Sequence, residues 1–184
     1  PIALYSGTLT GLDMKYHSVE SPGSDFNLPE PKRLEGSVQK NLHSVMNDTI
    51  EMGKQMLVFV SSRSSAQKEA RELSGHLKTK LESGDLGFTE AVVESWTSMS
   101  QELWRGEDGS ATVKALSNSV RGGVGFHHAG LTSSQRKVIE NGFRSGNLQC
   151  IVATPTLAQG VNLPASRVVV RDTRRWSTIA SRSM

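Results

Sequence analysis

Residues 150–156 read CIVATPT, an apolar run of four residues that passes directly into a polar turn containing a proline. The run is short and rich in branched side chains, which is typical of a strand buried on both faces of a parallel sheet. The polar part continues to Pro164 and is too polar to belong to a core. We therefore predict a buried strand over 150–153 that ends in a long polar turn at one edge of a sheet.

Three further apolar runs predict strands at 56–60, 124–127 and 167–171, and the length of the first also suits burial on both faces. Between the runs, apolar residues recur at helical spacing. The predicted helices begin and end near 37–53, 64–81, 89–104, 110–120 and 132–146. Strands that alternate with helices imply right-handed crossovers and a parallel sheet with helices on both faces. The predicted fold class is α/β.

The amino-terminal part is less regular. Residues 2–9 predict one more strand, and the stretch 11–34 carries proline and glycine punctuation that favours an extended connection over a regular element. The length of 184 residues suits one domain, so 1–184 is predicted to form a single unit.

Composition narrows the class of protein. The net charge of +3 is compatible with a phosphate-rich partner, and no apolar run is long enough for a membrane span. No signal peptide is visible at the start of the chain. The single cysteine, Cys150, cannot form an internal disulfide and is expected to be a buried core residue. These features predict a cytoplasmic protein.

Three predicted strands are each followed by a polar turn, and these turns should meet at the edge formed by the carboxyl ends of the strands. They begin after Val60, Phe126 and Ala153, and they supply hydroxyls, glycines, an arginine and an amide. Such groups bind phosphate oxygens without reading bases. The turns predict sequence-independent tracking of one nucleic-acid strand.

Plainer interpretations exist for each feature. The serines at 61, 62 and 64 are also suited to capping a helix, with Ser64 or Ser65 as the expected cap. His127 and His128 are neighbours on a strand and therefore point to opposite faces. No third ligand is suitably spaced, so we expect a structural role for the pair and no metal site.

The segment 153–165, ATPTLAQGVNLPA, closely resembles motif V of the Ski-like DExH-box group of superfamily 2 helicases. Three other stretches resemble this group: 127–131 (HHAGL), 57–63 (LVFVSSR, motif IV) and 167–172 (RVVVRD). The opening residues 1–7 are also similar, so the resemblance covers nearly the whole chain. Within the group the chain is most similar to archaeal DNA helicases that act at stalled replication forks, relatives of the helicase part of polymerase theta.

The resemblance implies the second RecA-like domain of such a helicase, a P-loop NTPase-type fold without its P-loop. The family couples ATP and Mg²⁺ to 3′ to 5′ unwinding of DNA in repair and replication-fork restart. The implied partners are single-stranded or forked DNA, together with the first RecA-like domain and the C-terminal domains of the same polypeptide. The implied location is the cytoplasm, in association with the nucleoid.

Motif positions also assign roles to individual residues. Gly160 and Asn162 are implied to approach ATP. Six residues are implied to contact the nucleic-acid strand: Ser62, Arg63, Gly130, Thr154, Pro155 and Thr156. The segment 171–184 is implied to start a strand-separating hairpin, with Arg174, Arg175 and Trp176 in that role. No residue of this chain is implied to be catalytic or to bind a metal.

Two ATPase motifs are missing from the 184 residues. There is no G-x-x-x-x-G-K-S/T phosphate loop and no DExH box. The chain also ends at Met184, before the position of motif VI, so the resemblance implies a domain that is incomplete at its C-terminal end. We expect ATP and Mg²⁺ to be used by the full-length enzyme, and the isolated chain to bind no cofactor and to be inactive as an ATPase.

Three other readings remain open at this point. The first is an RNA helicase domain of the exosome-associated branch, because backbone tracking barely uses the sugar. The second is a noncatalytic module that binds nucleic acid or protein. The third is an unrelated α/β transferase with its donor site at the same sheet edge, although the acidic residues of such a site are not evident in the three turns.

Overall fold

The computed structural model describes residues 4–20, 27–105, 109–159 and 163–171. The chain divides into two compact units, Pro1–Asp48 and Thr49–Met184, where the sequence analysis expected one.

The first unit contains a small antiparallel sheet with the strand order β1-β2-β3, formed by β1 (Leu4–Thr10), β2 (Asp13–Glu20) and β3 (Lys32–Arg33). The turn between β1 and β2 contains Gly11, whose φ of 62° suits glycine. The predicted irregular connection over 11–34 is therefore wrong for Asp13–Glu20, which pairs with β1 along its whole length. Because β2 is largely exposed, its sequence is polar and lacks the apolar pattern that predicts a strand.

The remaining elements agree with the predicted order. A 3₁₀ turn at Val38–Lys40 leads into the first helix. The helices are α1 (Asn41–Glu51), α2 (Arg63–Glu82), α3 (Glu90–Leu103), α4 (Ala111–Val120) and α5 (Ser133–Arg144). The strands are β4 (Met56–Phe59), β5 (Val124–His127), β6 (Cys150–Ala153) and β7 (Arg167–Val170). The four predicted strands and five predicted helices of this region are confirmed, with small shifts at their ends.

The second unit is built on a four-stranded parallel sheet with the strand order β5-β6-β4-β7. Ala153 at the end of β6 lies opposite Phe59 of β4 and opposite His127 of β5. The carboxyl ends of these strands are therefore level with one another. This is the predicted α/β arrangement of a RecA-like domain.

Helices cover both faces of the sheet. On one face, His128 after β5 meets Gln67 of α2. On the other, Gly125 lies against Ile139 of α5, and a Cβ added to the glycine would come within 2.9 Å of that side chain. All four residues of β5 and all four of β6 are buried between these layers. The predicted two-sided packing is confirmed.

Cys150 lies in this core, at the start of β6. Burial raises the pKa of its thiol, and the negative charge of Glu69 acts in the same direction. The thiol therefore stays protonated and inert, and the expected core role is confirmed. Within the described ranges, no helix combines the length and apolar character that a membrane crossing requires.

Gly123 is required at the turn into β5. Its φ is 73°, and an added Cβ would lie 2.5 Å from Cζ2 of Trp96, whose ring is held by a 2.6 Å hydrogen bond from Nε1 to the carbonyl of Asn147. We expect Gly123→Ala to lower the free energy of unfolding by about 2 to 4 kcal/mol through strain and overpacking.

Urea unfolding followed by circular dichroism measures this cost, with Gly53→Ala as the control. Gly53 has a similar φ of 66° but nothing within 4 Å of an added Cβ. Its substitution is expected to cost only about 1 kcal/mol. Equal costs at the two sites would contradict the proposed clash with Trp96.

Candidate nucleic-acid interface

The turns after β4, β5 and β6 begin side by side at one edge of the sheet. The Val60 N–H donates to the carbonyl of Ala153 at 2.9 Å, and the Thr154 N–H donates to the carbonyl of His127 at 3.1 Å. These bonds continue the hydrogen bonding between strands by one residue beyond β4, β5 and β6. The three turns therefore begin at the same level of the sheet. The convergence expected from the sequence is confirmed. We call this rim, made of residues 61–64, 129–134 and 154–156, the carboxyl edge.

The turn after β4 is organised by Ser62. Its Oγ accepts a hydrogen bond from the Ser65 N–H at 3.1 Å and lies 2.8 Å from the Ser65 hydroxyl. Ser62 is thus the N-cap of α2, and the expected cap at Ser64 or Ser65 is wrong. Ser62 has extended backbone angles whereas the residues after it are already helical. The capping role does occur, and it leaves Arg63 exposed on the first turn of α2.

The turn after β5 is organised by His128. Its Nδ1 accepts a hydrogen bond from the Gly130 N–H at 3.1 Å, and its ring stacks on Phe126 with centroids 5.3 Å apart. Its Nε2 lies 3.1 Å from the side-chain amide of Gln67. The buried imidazole therefore fixes the path of the exposed residues that follow it. The structural role expected for His128 is confirmed, whereas its partner Gln67 was not predicted.

Arg63 and Gly130 lie next to each other, although the sequence separates them. A Cβ added to Gly130 would lie 3.4 Å from Nη1 of Arg63. The structure thus brings together two of the residues predicted to contact nucleic acid. The Gly130 N–H is already used by His128. Gly130 therefore lets a ligand approach its backbone closely, but its N–H is not free to donate to that ligand.

The turn after β6 carries the predicted residues Thr154, Pro155 and Thr156. Thr154 is buried, and its Oγ1 lies 2.9 Å from Oγ1 of Thr156. Pro155 begins a short 3₁₀ turn, and both Pro155 and Thr156 are exposed. Of the two threonine hydroxyls, that of Thr156 is the more accessible to a ligand.

The remaining predicted site residues, Gly160, Asn162, Arg174, Arg175 and Trp176, lie outside the described residues. Their implied contacts with nucleotide and duplex stay predictions.

The adjacent histidines face opposite sides of the sheet, as predicted. His127 Nε2 lies 3.0 Å from Oε1 of Glu140 on α5, whereas His128 faces α2. In the part of the chain that the structure describes, no group of three histidine, cysteine, aspartate or glutamate residues could hold a metal ion.

The carboxyl edge has a positive electrostatic character. The first turns of α2 and α5 start there, and the amino end of a helix carries a partial positive charge. Arg63 and Arg136 add two full charges, with Arg136 donating to Oγ of Ser133 at 3.2 Å. None of the residues that make up the edge is acidic. Arg136 was missed by the sequence analysis, although its place in the first turn of a capped helix was a usable signal.

Both histidines should make the stability of the chain depend on pH. Burial lowers the pKa of His127 against the opposing effect of Glu140, and burial with the nearby charge of Arg63 lowers the pKa of His128. The unfolded chain then binds protons more readily than the folded chain. The free energy of unfolding is therefore expected to fall as the pH drops below about 6.5.

Urea midpoints at pH 7.5 and pH 5.5 measure this effect. His128→Gln is expected to reduce the difference between the two midpoints. A midpoint that does not fall between these pH values would contradict the assignment.

Known proteins that resemble the chain are helicases, which agrees with an edge suited to nucleic acid. The family model described as "Helicase conserved C-terminal domain" matches residues 107–182. The chain is 36% identical over 147 residues to the ATP-dependent DNA helicase Hel308 of Methanocella arvoryzae, covering 80% of the chain and 19% of that protein. It is 39% identical over 130 residues to the Pyrococcus horikoshii Hel308, covering 71% of the chain and 17% of that protein.

The Hel308 of Methanococcus vannielii is 35% identical over 179 residues, covering 96% of the chain and 22% of that protein. The chain therefore spans about a fifth of the length of these relatives. The likeness extends through both sheet units and all three turns of the carboxyl edge. Together with the parallel sheet and its level strand ends, these matches support a second RecA-like domain of the Ski-like superfamily 2 helicase type.

Proposed function

We propose that the chain is the part of an ATP-dependent DNA helicase that holds one DNA strand by its sugar-phosphate backbone. The observation that carries this proposal is the convergence of the turns after β4, β5 and β6 on the carboxyl edge. Hel308 relatives named as ATP-dependent DNA helicases support the DNA strand as ligand.

The groups at the edge suit a phosphate backbone. Arg63 is exposed beside Gly130, whose lack of a side chain allows close approach, and Thr156 presents a hydroxyl. Arginine, hydroxyl and helix amino ends all contact phosphate oxygens without distinguishing bases. Among the described residues of the edge there is no exposed aromatic side chain on which a base would stack. The proposed binding is therefore independent of base sequence.

The proposed role is one half of a two-state hinge. The first RecA-like domain of the same polypeptide is the other half, and Gly160 and Asn162 of this chain would face the nucleotide between them. Bound ATP with Mg²⁺ would supply the free-energy difference between closed and open states. The backbone contacts of the carboxyl edge would hold the strand while the domains change their separation. Repeated closure and opening would advance the strand.

The proposed biological setting is unwinding in the 3′ to 5′ direction during repair or restart of stalled replication forks. The C-terminal domains of the polypeptide would complete the path of the strand. The work would take place in the cytoplasm, at the nucleoid.

The test is duplex unwinding by the full-length polypeptide that carries this chain. Fluorescently labelled duplexes with a 3′ tail, a 5′ tail or no tail are offered in DNA and in RNA form, with and without ATP. We expect ATP-dependent separation of the DNA duplex with a 3′ tail. Absence of ATP-dependent separation would contradict the proposal, and a clear preference for RNA would favour the RNA-helicase alternative.

A further inference from the structure

A chain of hydrogen bonds runs from Gln67 on α2 through His128 to Gly130 at the carboxyl edge. The Gly130 N–H donates to His128 Nδ1 at 3.1 Å, and His128 Nε2 lies 3.1 Å from the side-chain amide of Gln67. Only 2% of His128 is exposed, and its ring stacks on Phe126, which is completely buried. Both ring nitrogens of this buried imidazole therefore have protein partners.

The bond from Gly130 decides which nitrogen of His128 carries the proton. A ring nitrogen that accepts a hydrogen bond has no proton of its own, so the proton of the neutral imidazole is on Nε2. Nε2 must then donate to the Gln67 amide. The structure has the amide nitrogen at this place, and a half-turn of the amide group exchanges it for the oxygen that the donor requires. Burial and then the charge of Arg63 lower the pKa of His128, which favours the neutral ring.

His128 and Arg63 border the same small space at Gly130. A Cβ added to Gly130 would lie 3.1 Å from Nδ1 of His128 and 3.4 Å from Nη1 of Arg63. Gln67 follows Arg63 by four residues on α2, about one turn of the helix. The helix that presents the guanidinium therefore also holds the imidazole that shapes the turn beside it.

We propose that Gln67 is a positioning residue for the phosphate contact of Arg63. By accepting the Nε2 proton of His128, it leaves Nδ1 to accept from Gly130, and this bond keeps the turn after β5 close to the guanidinium. The inference rests on the proposed function, because it takes Arg63 to bind a DNA phosphate. Without the acceptor at position 67, the buried Nε2–H loses its partner, which costs free energy. The ring is then driven toward water, and its bond to Gly130 weakens.

The experiment compares Gln67→Leu, Arg63→Ala and the double variant in the full-length polypeptide. Leucine lacks the acceptor, and its helix propensity is close to that of glutamine. The matched control is Gln101→Leu, the same change at an exposed position on α3. Fluorescence anisotropy with a labelled single-stranded oligonucleotide measures the affinity, and thermal unfolding shows whether each variant is folded.

Gln67→Leu is expected to weaken binding of single-stranded DNA about three- to tenfold, because the turn beside Arg63 is no longer held. In the Arg63→Ala background the same change should weaken binding by less than about twofold, since its effect passes through Arg63. Gln101→Leu should leave the affinity unchanged. A purely independent effect of Gln67 would instead multiply with that of Arg63.

Nuclear magnetic resonance of the purified chain, labelled with ¹⁵N, tests the arrangement without relying on affinity. The shifts of the two ring nitrogens show which of them carries the proton. We expect His128 to carry it on Nε2 in the wild type, and the Gly130 amide hydrogen to exchange faster with solvent in Gln67→Leu. A wild-type proton on Nδ1, or an exchange rate at Gly130 that does not change, would overturn the inference.

The affinities separate failure of the inference from failure of the proposed function. If the wild type binds single-stranded DNA and Gln67→Leu binds equally well, or if the losses multiply in the double variant, the inference alone is wrong. A wild-type polypeptide that does not bind single-stranded DNA would overturn the proposed function, and the inference with it.

Discussion

The 184-residue chain by itself is expected to hydrolyse ATP at least about 10³-fold more slowly than the full-length polypeptide in which we propose it works. The chain contains neither a phosphate-binding loop nor a DExH box. These elements hold the β- and γ-phosphates, the magnesium ion and the attacking water in enzymes of this class. This domain would line one side of the ATP cleft, and the catalytic groups would come from elsewhere in the polypeptide.

Steady-state phosphate release by the purified chain, with and without single-stranded DNA, measures this rate. Asn162→Ala serves as the control for contamination, because a trace of a foreign ATPase would be unaffected by the change. A substantial rate of ATP hydrolysis that survives rigorous purification would contradict the proposal that the chain is one of two domains needed for the reaction. A rate abolished by Asn162→Ala would show that the chain alone builds a catalytic site.

Arg63→Ala in the full-length polypeptide is expected to weaken binding of single-stranded DNA about 10- to 100-fold. Arg63 is exposed at the first turn of α2, beside the backbone of Gly130. Loss of a hydrogen bond to a charged group costs about 1.5 to 3 kcal/mol, and about 1.4 kcal/mol corresponds to a factor of ten in affinity. Because the Arg63 side chain is exposed, its truncation removes no core packing. The loss of affinity therefore reports on the phosphate contact and not on folding.

Fluorescence anisotropy with a labelled oligonucleotide measures the affinity, and Arg71→Ala is the matched control. Arg71 is an exposed arginine on the same helix, two turns further from the carboxyl edge. Thr156→Ala, which removes a neutral hydroxyl, is expected to have a smaller effect of about 0.5 to 1.5 kcal/mol. Equal losses for Arg63→Ala and Arg71→Ala would indicate a general charge effect and contradict a defined contact.

Most of the sheet of the second unit could be predicted from the sequence because three of its strands, β4, β5 and β6, are buried. β5 and β6 begin and end at the predicted residues, since apolar runs between polar turns mark such strands clearly. The start of α5 could also be predicted from the sequence, because Thr132 and Gln135 have the spacing of a capping box, which they form in the structure. In contrast, β2 lies in a largely exposed hairpin, so its sequence has no apolar periodicity from which a strand could be predicted.

The candidate site was predictable in outline but not in detail. Parallel strands bring their following turns to one edge, so the meeting of Arg63 and Gly130 followed from topology. The residues that shape the turns depend on long-range contacts that local patterns do not encode. His128 meets Gln67 across 61 residues, and Arg171 meets Glu69 across 102. The run of serines after Val60 offered several equivalent caps, and in the structure Ser62 is the one that caps α2.

The central claim is that single-stranded DNA lies along the carboxyl edge, and photo-crosslinking from defined positions tests it most directly. A photoreactive amino acid is placed at Ala129 or Pro155 on this edge, or at Ser145 at the opposite end of α5, in the full-length polypeptide; all three residues are exposed. We expect crosslinks to single-stranded DNA from Ala129 and Pro155 and none above background from Ser145. Crosslinks from Ser145 without any from the other two positions would contradict the account.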